Sequence, residues 1–311
     1  MIVRCFDDLV EIASGLKKTA EVAVVEAHDE NTLKSVIMAA THGIIAPKLI
    51  GNHNEIRKML SLLGADASLY DIRGSGDSQE SLKIAIDMVN SGSASALMKG
   101  KLETGEFIKA IVNKKSNLLT GRLLSLAGLY KPQNYKKVFV VSDIGLVMYP
   151  GFEEKKAIIM NAVDMLNALG VDKPKVAVLA AVEKVNDNMP ETLVAKSLKN
   201  AFPGEDFIIE GPVSFDLATN KEAAAIKGYD SPIAGEADLL IVPEFVSGNI
   251  LAKSLTGFGN SLTAGAVLGA KVPIMLTSRS AEMSDKFYSI ALGVVLGAYA
   301  VEKDLRIKHD E

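Results

Sequence analysis

Val22-Ala23-Val24-Val25-Glu26-Ala27 is a short β-rich apolar run, and Asp29 stands just beyond it. Asp29 suits an N-cap, and Leu33, Val36, Ile37 and Ala40 follow at helical spacing. The pair reads as a strand feeding a helix, and the rhythm repeats along the chain. Residues 47–51 read as a second strand, after which Asn52 caps a helix bearing Ile56, Met59, Leu60 and Leu63. Residues 68–72 read as a third strand, followed by the flexible Gly74-Ser75-Gly76-Asp77 and a helix bearing Leu82, Ala85, Ile86 and Val89. Ala96-Leu97-Met98 is a short buried strand that runs into Lys99-Gly100-Lys101.

The second half keeps the pattern. Strands are expected at residues 137–143, 175–181, 207–209, 237–242 and 272–277. Gly211-Pro212 ends the third of these, and Pro273 suits an edge or end position in the last. Helices are expected at 153–169, from Pro190 to Asn200, and at 284–299. Residues 128–137, with Pro132, read as a crossover. The strand runs are continuously apolar rather than alternating, as strands covered on both faces require. The fold class is therefore α/β, with helices flanking mostly parallel sheets. Such sheets take ligands beyond their C-terminal strand ends. Lys99-Gly100-Lys101, Ser142-Asp143, Glu183-Lys184, Gly211-Pro212, Glu244-Phe245 and Ser278-Arg279 all fall there.

Composition narrows the function classes. The 311 residues are 48% hydrophobic and 23% charged, enough for one large domain or two moderate ones. A net charge of -4 offers little attraction to nucleic acid or anionic lipid, so neither is expected as a partner. The lack of Trp and 5% aromatic content argue against base stacking. The single Cys5 excludes an internal disulfide and a cysteine-cluster metal site. The opening residues are too mixed for a secretory signal, and the apolar run 290–301 is too short to span a bilayer, so a cytoplasmic location is expected. His28, His42, His53 and His309 form no ligand pattern, and there is neither a Walker loop nor a GxGxxG fingerprint.

The candidate site residues are those whose chemistry suits an anion. Arg279, after Ser278 at a strand end, can clamp phosphate in a bidentate fork. Lys99 and Lys101, with Thr104 as cap of the next helix, form an anion nest. Arg122, set between leucines, reaches a cleft or snorkels to solvent. Gly248 allows close ligand approach beside Asn249, while Ser247 suits a cap. Asp143 can hydrogen-bond a ligand or bind a metal, although no matched His/Asp spacing surrounds it. Asp285 lies in the first turn of the last helix, where a carboxylate also simply suits the dipole. Each has an ordinary reading as turn, cap or solvated charge; together they describe an α/β enzyme with an anionic substrate.

Six segments in order resemble the phosphate acetyl/butyryltransferase family over essentially the whole chain. They are Ala96–Phe107, Leu119–Ser125, Val178–Asn186 with Met189-Pro190-Glu191-Thr192, Gly211–Ala218, Gly235–Pro243 continuing to Gly248-Asn249, and Leu276–Ser280 with Ser289–Leu292. The Lys-Gly-Lys and Thr-Gly-Arg-Leu-Leu-Ser segments look closer to the butyryl branch. The resemblance implies acyl-CoA + phosphate ⇌ acyl phosphate + CoA, with butyryl-CoA as the expected substrate. It implies two α/β/α sandwich domains, residues 1–130 with 268–311 and an inserted 131–267, with the active site in the cleft between them. It implies a homodimer or larger homo-oligomer and direct transfer in a ternary complex; no prosthetic group is expected, and the sequence shows no protein-built metal site.

Carried over by position, Arg279 binds phosphate, Asp285 accepts the CoA thiol proton, and Ser278 hydrogen-bonds the thiolate or oxyanion. Lys99, Lys101, Thr104, Arg122, Asp143, Gly248 and Asn249 are expected to contact substrate. Val147 stands where the family often has Asn, and Ile108 where the acetyl branch has arginine, a cation that Arg122 would supply. The alternatives are a phosphate acetyltransferase and a non-catalytic acyl-CoA or acyl-phosphate binding protein. A metal-dependent NAD dehydrogenase would need an acidic metal cluster and a nucleotide pocket, and neither is visible in the sequence.

Overall fold

Asp29 accepts a hydrogen bond from the Thr32 amide at 2.9 Å, so the helix that follows the first strand starts where the cap places it. The structure, a computed structural model, describes residues 2–310, with side chains to residue 305. In chain order the elements are α1 (Phe6–Ser14), β1 (Ala20–Val25), α2 (Glu30–Thr41), β2 (Ile45–Gly51), α3 (His53–Leu62), β3 (Asp71–Gly74), α4 (Ser78–Asn90), β4 (Ala96–Lys99) and α5 (Thr104–Val112). Then come β5 (Ser125–Lys131), β6 (Phe139–Ser142), α6 (Phe152–Ala168), β7 (Lys175–Leu179), α7 (Pro190–Lys199), β8 (Ile208–Val213), α8 (Phe215–Thr219), α9 (Lys221–Ile226) and β9 (Leu239–Ile241). The chain closes with α10 (Phe245–Gly257), β10 (Leu262–Leu268), β11 (Ile274–Met275) and α11 (Met283–Asp310).

The chain divides into two compact units. The first comprises Phe6–Arg122 and the chain from Ala264 onward. Its strands run β3-β2-β1-β4-β11-β10, parallel except for β10, which is antiparallel to β11. Val22 to Val25 in β1, Leu33 and Val36 in α2, and Ile290 to Leu292 in α11 are fully buried and form its core. Phe6 stacks on Tyr288 with ring centroids 4.5 Å apart, and Asn31 donates to the Ala281 carbonyl at 3.2 Å. These contacts hold α11 against α1 and the start of α2.

The second unit comprises Leu123–Thr263 and the segment ending at Cys5. Its strands run β5-β6-β9-β7-β8, parallel except for β5 against β6. The Asn161 amide on α6 donates to the Leu123 carbonyl at 2.8 Å and to Ser125 Oγ at 3.0 Å. That fixes the chain where β5 begins.

The architecture is α/β with mixed, mostly parallel sheets. Several elements differ from the reading of the sequence, each for a local reason. Residues 67–69 form a short 3₁₀ turn held by Asp66, which accepts from the Ser68 amide at 2.8 Å, so β3 starts only at Asp71. β8 runs through Gly211-Pro212 instead of ending there, and Pro212 is tolerated because β8 is the last strand of its sheet. Pro273 takes the end position: it precedes β11, which lies between β4 and β10. β5 covers part of the expected crossover. Among the described residues no helix is long and apolar enough to cross a membrane.

Candidate active site

In the first unit β4 lies beside both β1 and β11, with Lys99 in register with Val25. The chain leaves β4 hard against β1: the Gly100 amide donates to the Val25 carbonyl at 2.8 Å and the Lys101 amide to the Glu26 carbonyl at 2.9 Å. A Cβ on Gly100 would lie 2.4 Å from the Glu26 oxygen and 2.5 Å from the Val25 oxygen, so the approach requires glycine. Lys99 is 1% exposed, and its Nζ donates to the carbonyls of Gly100 at 3.2 Å and Leu102 at 3.0 Å. Its ammonium thus closes the turn from within. Burial, then the neighbouring Lys286 and Arg279 charges, push its pKa down to about 8. Lys101 is exposed, and Thr104 is half-buried as the first residue of α5. The N-cap is Glu103 rather than Thr104, because the helical conformation already begins at Thr104.

Ser278 and Arg279 lie exposed on the turn between β11 and α11. The Ala281 amide donates to the Ser278 carbonyl at 3.1 Å, and the Ser278 and Ser280 hydroxyls are 3.1 Å apart. The Arg279 guanidinium forms an ion pair with the Glu103 carboxylate at the start of α5. Asp285 is half-buried in the first turn of α11, and its carbonyl accepts from Ser289 Oγ at 2.7 Å. Ser289 in turn accepts from the Gly265 amide at 2.9 Å, tying α11 to β10. This unit therefore gathers Lys99, Ser278, Arg279 and Asp285 around the ends of β4 and β11 and the adjoining helix starts. Arg122 is exposed after Gly121, on a turn where Thr120 Oγ1 donates to the Gly269 carbonyl at 2.7 Å.

Residues that sequence reasoning passed over support this group. Lys286 is 2% exposed, with Nζ 3.5 Å from Thr277 Oγ1. Burial pushes its pKa down, against the pull of Asp29 and Asp285. The second Asp29 carboxylate oxygen is buried with no hydrogen-bond partner among the described residues. Beyond β1, Glu26 adopts the left-handed conformation with φ 55° and accepts from Ser81 Oγ, which lies 2.6 Å from Ser75 Oγ. The signal for Lys286 was available: Ser289 and Ile290, three and four residues on, are fully buried, so Lys286 shares their inward stripe.

The second unit brings Asp143, Gly248 and Asn249 together. Asp143, 3% exposed, accepts from the amides of Gly145 at 2.6 Å, Leu146 at 2.8 Å and Leu126 at 3.0 Å. Burial nevertheless raises its pKa, with those amides opposing. A Cβ on Gly248 would lie 2.7 Å from the Asp143 carbonyl oxygen, and Asn249 Nδ2 donates to the Ile144 carbonyl at 3.4 Å. Glu244, not Ser247, caps α10, accepting from the Val246 and Ser247 amides at 2.6 and 3.0 Å. Lys155, also buried, donates to the Pro243 carbonyl at 2.5 Å. A cavity of about 800 Å³ in this unit is lined by residues including Glu183, Lys184, Asn186, Lys227 and Tyr229; it takes in the strand end Glu183-Lys184 but none of the candidate site residues named above. Among the described residues no cluster of three His, Cys, Asp or Glu side chains could hold a metal ion.

Comparison with known proteins gives this geometry a context. Residues 77–294 match the family model described as phosphate acetyl/butaryl transferase. The chain is 38% identical over 291 residues to the phosphate acetyltransferase of Rickettsia typhi, covering 92% of this chain and 83% of that one. It is 32% identical over 298 residues to the phosphate butyryltransferase of Clostridium acetobutylicum, covering 95% and 99%. The crystal structure of a branched-chain phosphotransacylase from Enterococcus faecalis superposes with a TM-score of 0.81 at 30% identity, covering 90% of this chain and 99% of that one. These identities do not single out the butyryl branch.

Proposed function

The chain belongs to the phosphate acetyl/butyryl transferase family and is a phosphate acyltransferase, and we propose that it moves a short acyl group, acetyl foremost, between coenzyme A and inorganic phosphate. The higher identity to an acetyltransferase supports acetyl over the butyryl group expected from the motifs. Likeness to a branched-chain phosphotransacylase supports a second reading, in which the acyl pocket takes four-carbon and branched chains.

The observation that carries the mechanism is the exposed Arg279 guanidinium, on the same turn as Ser278 and close to the start of α11 that bears Asp285. In this reading Arg279 holds phosphate in its fork. An oxygen of hydrogen phosphate attacks the thioester carbonyl, the C–S bond of the tetrahedral intermediate breaks, and the thiolate leaves. Ser278 donates to the oxyanion or to the departing sulfur, and Asp285 relays the proton given up by the attacking phosphate to the thiolate. In the reverse direction Asp285 accepts the proton from the thiol, the thiolate attacks the acyl phosphate carbonyl, and phosphate leaves as the C–O bond breaks, taking up that proton. Orientation of two bound substrates supplies much of the acceleration, and fixed positive charge stabilises the developing oxyanion. Lys101, Thr104 and Arg122 complete the proposed substrate contacts of the first unit, whereas Asp143, Gly248 and Asn249 hold the loop that follows β6. Lys99 acts by holding the turn in front of Lys101 and Glu103.

Assembly into a homo-oligomer belongs to the same proposal, supported by Val246 and Ile250 exposed on α10 and Phe258 just beyond it, and is checked by light scattering. Replacing Arg279 with Ala tests the mechanism. The expected result is a loss of kcat/KM for phosphate of at least about 100-fold, the scale of removing one oxyanion-type donor. Kinetics like those of the unmodified enzyme would contradict the assignment.

A further inference from the structure

Glu103 occupies the N-cap of α5 with extended backbone, φ -65° and ψ 136°, yet its side chain makes no capping hydrogen bond. Its carboxylate instead pairs with the guanidinium of Arg279. Both side chains stay largely in solvent, Arg279 at 61% and Glu103 at 68% exposure. Glu103 therefore neither closes its own helix nor serves as a buried counter-ion.

We propose that Glu103 is a built-in competitor for the anion site on Arg279 and thereby sets how tightly the phosphate substrate is held. The inference rests on the reading above in which Arg279 binds phosphate. The Glu103 carboxylate sits on Nη2, the nitrogen shared by the side-on and end-on forks of the guanidinium, and a carboxylate and a phosphate seek the same donors. Phosphate that binds in either fork therefore competes with Glu103 for that nitrogen. The exposure of the pair makes displacement feasible, since solvent-exposed ion pairs are weak and salt-screened. Once displaced, the carboxylate still lies beside the positive end of the α5 dipole, which gives it a second favourable position. Glu103 and Arg279 also act on the buried Lys99 with opposite sign, so the pair belongs to the same electrostatic group as the proposed site.

The test is steady-state kinetics of phosphate-dependent CoA release by the purified full-length protein and its Glu103→Gln variant, joined to calorimetric titration with inorganic phosphate. The substitution should lower the phosphate KM about two- to five-fold, the range expected for an exposed pair. The acyl-CoA KM and kcat should stay close to their original values, and the difference should shrink as sodium chloride is raised. In an Arg279→Ala background, Glu103→Gln should leave phosphate binding unaltered by titration. A phosphate KM that is unchanged or raised would overturn the proposal, because Glu103 would then be inert or would hold Arg279 in its working position. A fall in kcat with unchanged phosphate KM would also overturn it. If the original protein releases no CoA with phosphate, the functional reading fails separately. The titration then decides on Glu103: tighter phosphate binding by the variant supports competition, and equal or weaker binding overturns it. Glu103→Ala, equally exposed, serves as the second variant.

Discussion

Lys99 shows what a single residue conceals in sequence. Beside Gly100 and Lys101 it reads as a substrate cation, but its ammonium is turned inward onto two carbonyls. With a folded pKa of about 8 against an ordinary 10.5, the folded chain loses this proton earlier than the unfolded chain. Between about pH 8 and 10.5 the unfolded state binds more protons, so this group's contribution to stability rises with pH across that window. Lys155 and Lys286, also depressed by burial, act with the same sign. Tyr135, pushed up to about 12, acts oppositely only above the ordinary phenol range near 10. Urea unfolding at pH 7.5 and 9.5 should therefore show a flatter pH dependence for Lys99→Met than for the original chain; equal slopes would contradict the buried charge. Asp285→Asn belongs to the same scale. It should slow acyl-CoA formation more at neutral pH than at alkaline pH, where the thiol is already ionised. A uniform loss across pH would assign Asp285 to positioning. Lys286 was overlooked although it shares the inward stripe of Ser289 and Ile290, whereas the Glu103–Arg279 pair was not legible, because it depends on which strand end faces which helix start.

At the scale of elements, signals confined to a few neighbouring residues were legible. Asp29 and Asn52 accept from the first-turn amides of α2 and α3 as their positions predict, and Pro190 opens α7. The strands that were passed over, β5 and β10, each carry a glycine inside the run, fitted to a close contact, which weakens the strand signal. A Cβ on Gly128 would meet the Tyr130 ring at 2.5 Å, and one on Gly265 would meet the Leu276 carbonyl at 2.4 Å. The same close fit makes two further glycines testable. Gly100→Ala and Gly248→Ala each force a methyl against backbone oxygen and should cost about 1–3 kcal/mol of stability by chemical denaturation. Gly43→Ala would meet nothing within 4 Å, but its φ of 70° strains any side chain, so it separates backbone strain from collision. Equal losses at all three positions would argue against tight packing at Gly100 and Gly248.

For the molecule as a whole, the alternation of continuous apolar runs with amphipathic helices was enough to expect α/β architecture, since it records burial of strands on both faces. The spread of motifs from Ala96 to Leu292 made the family legible too, and residues 77–294 match its model. Acyl preference was not legible. One methylene in a pocket is worth only about 1–3 kcal/mol, and a few side chains set it without altering the framework. The butyryl expectation rested on motifs that bear on the shared chemistry of CoA and phosphate. The most direct test is release of the CoA thiol from acetyl-, propionyl-, butyryl- and a branched acyl-CoA by the purified protein, with and without phosphate. The account expects release that requires phosphate, fastest with acetyl-CoA. Preference for butyryl- or branched acyl-CoA would overturn the acetyl assignment alone, whereas absence of phosphate-dependent release with every substrate from folded protein would contradict the central claim.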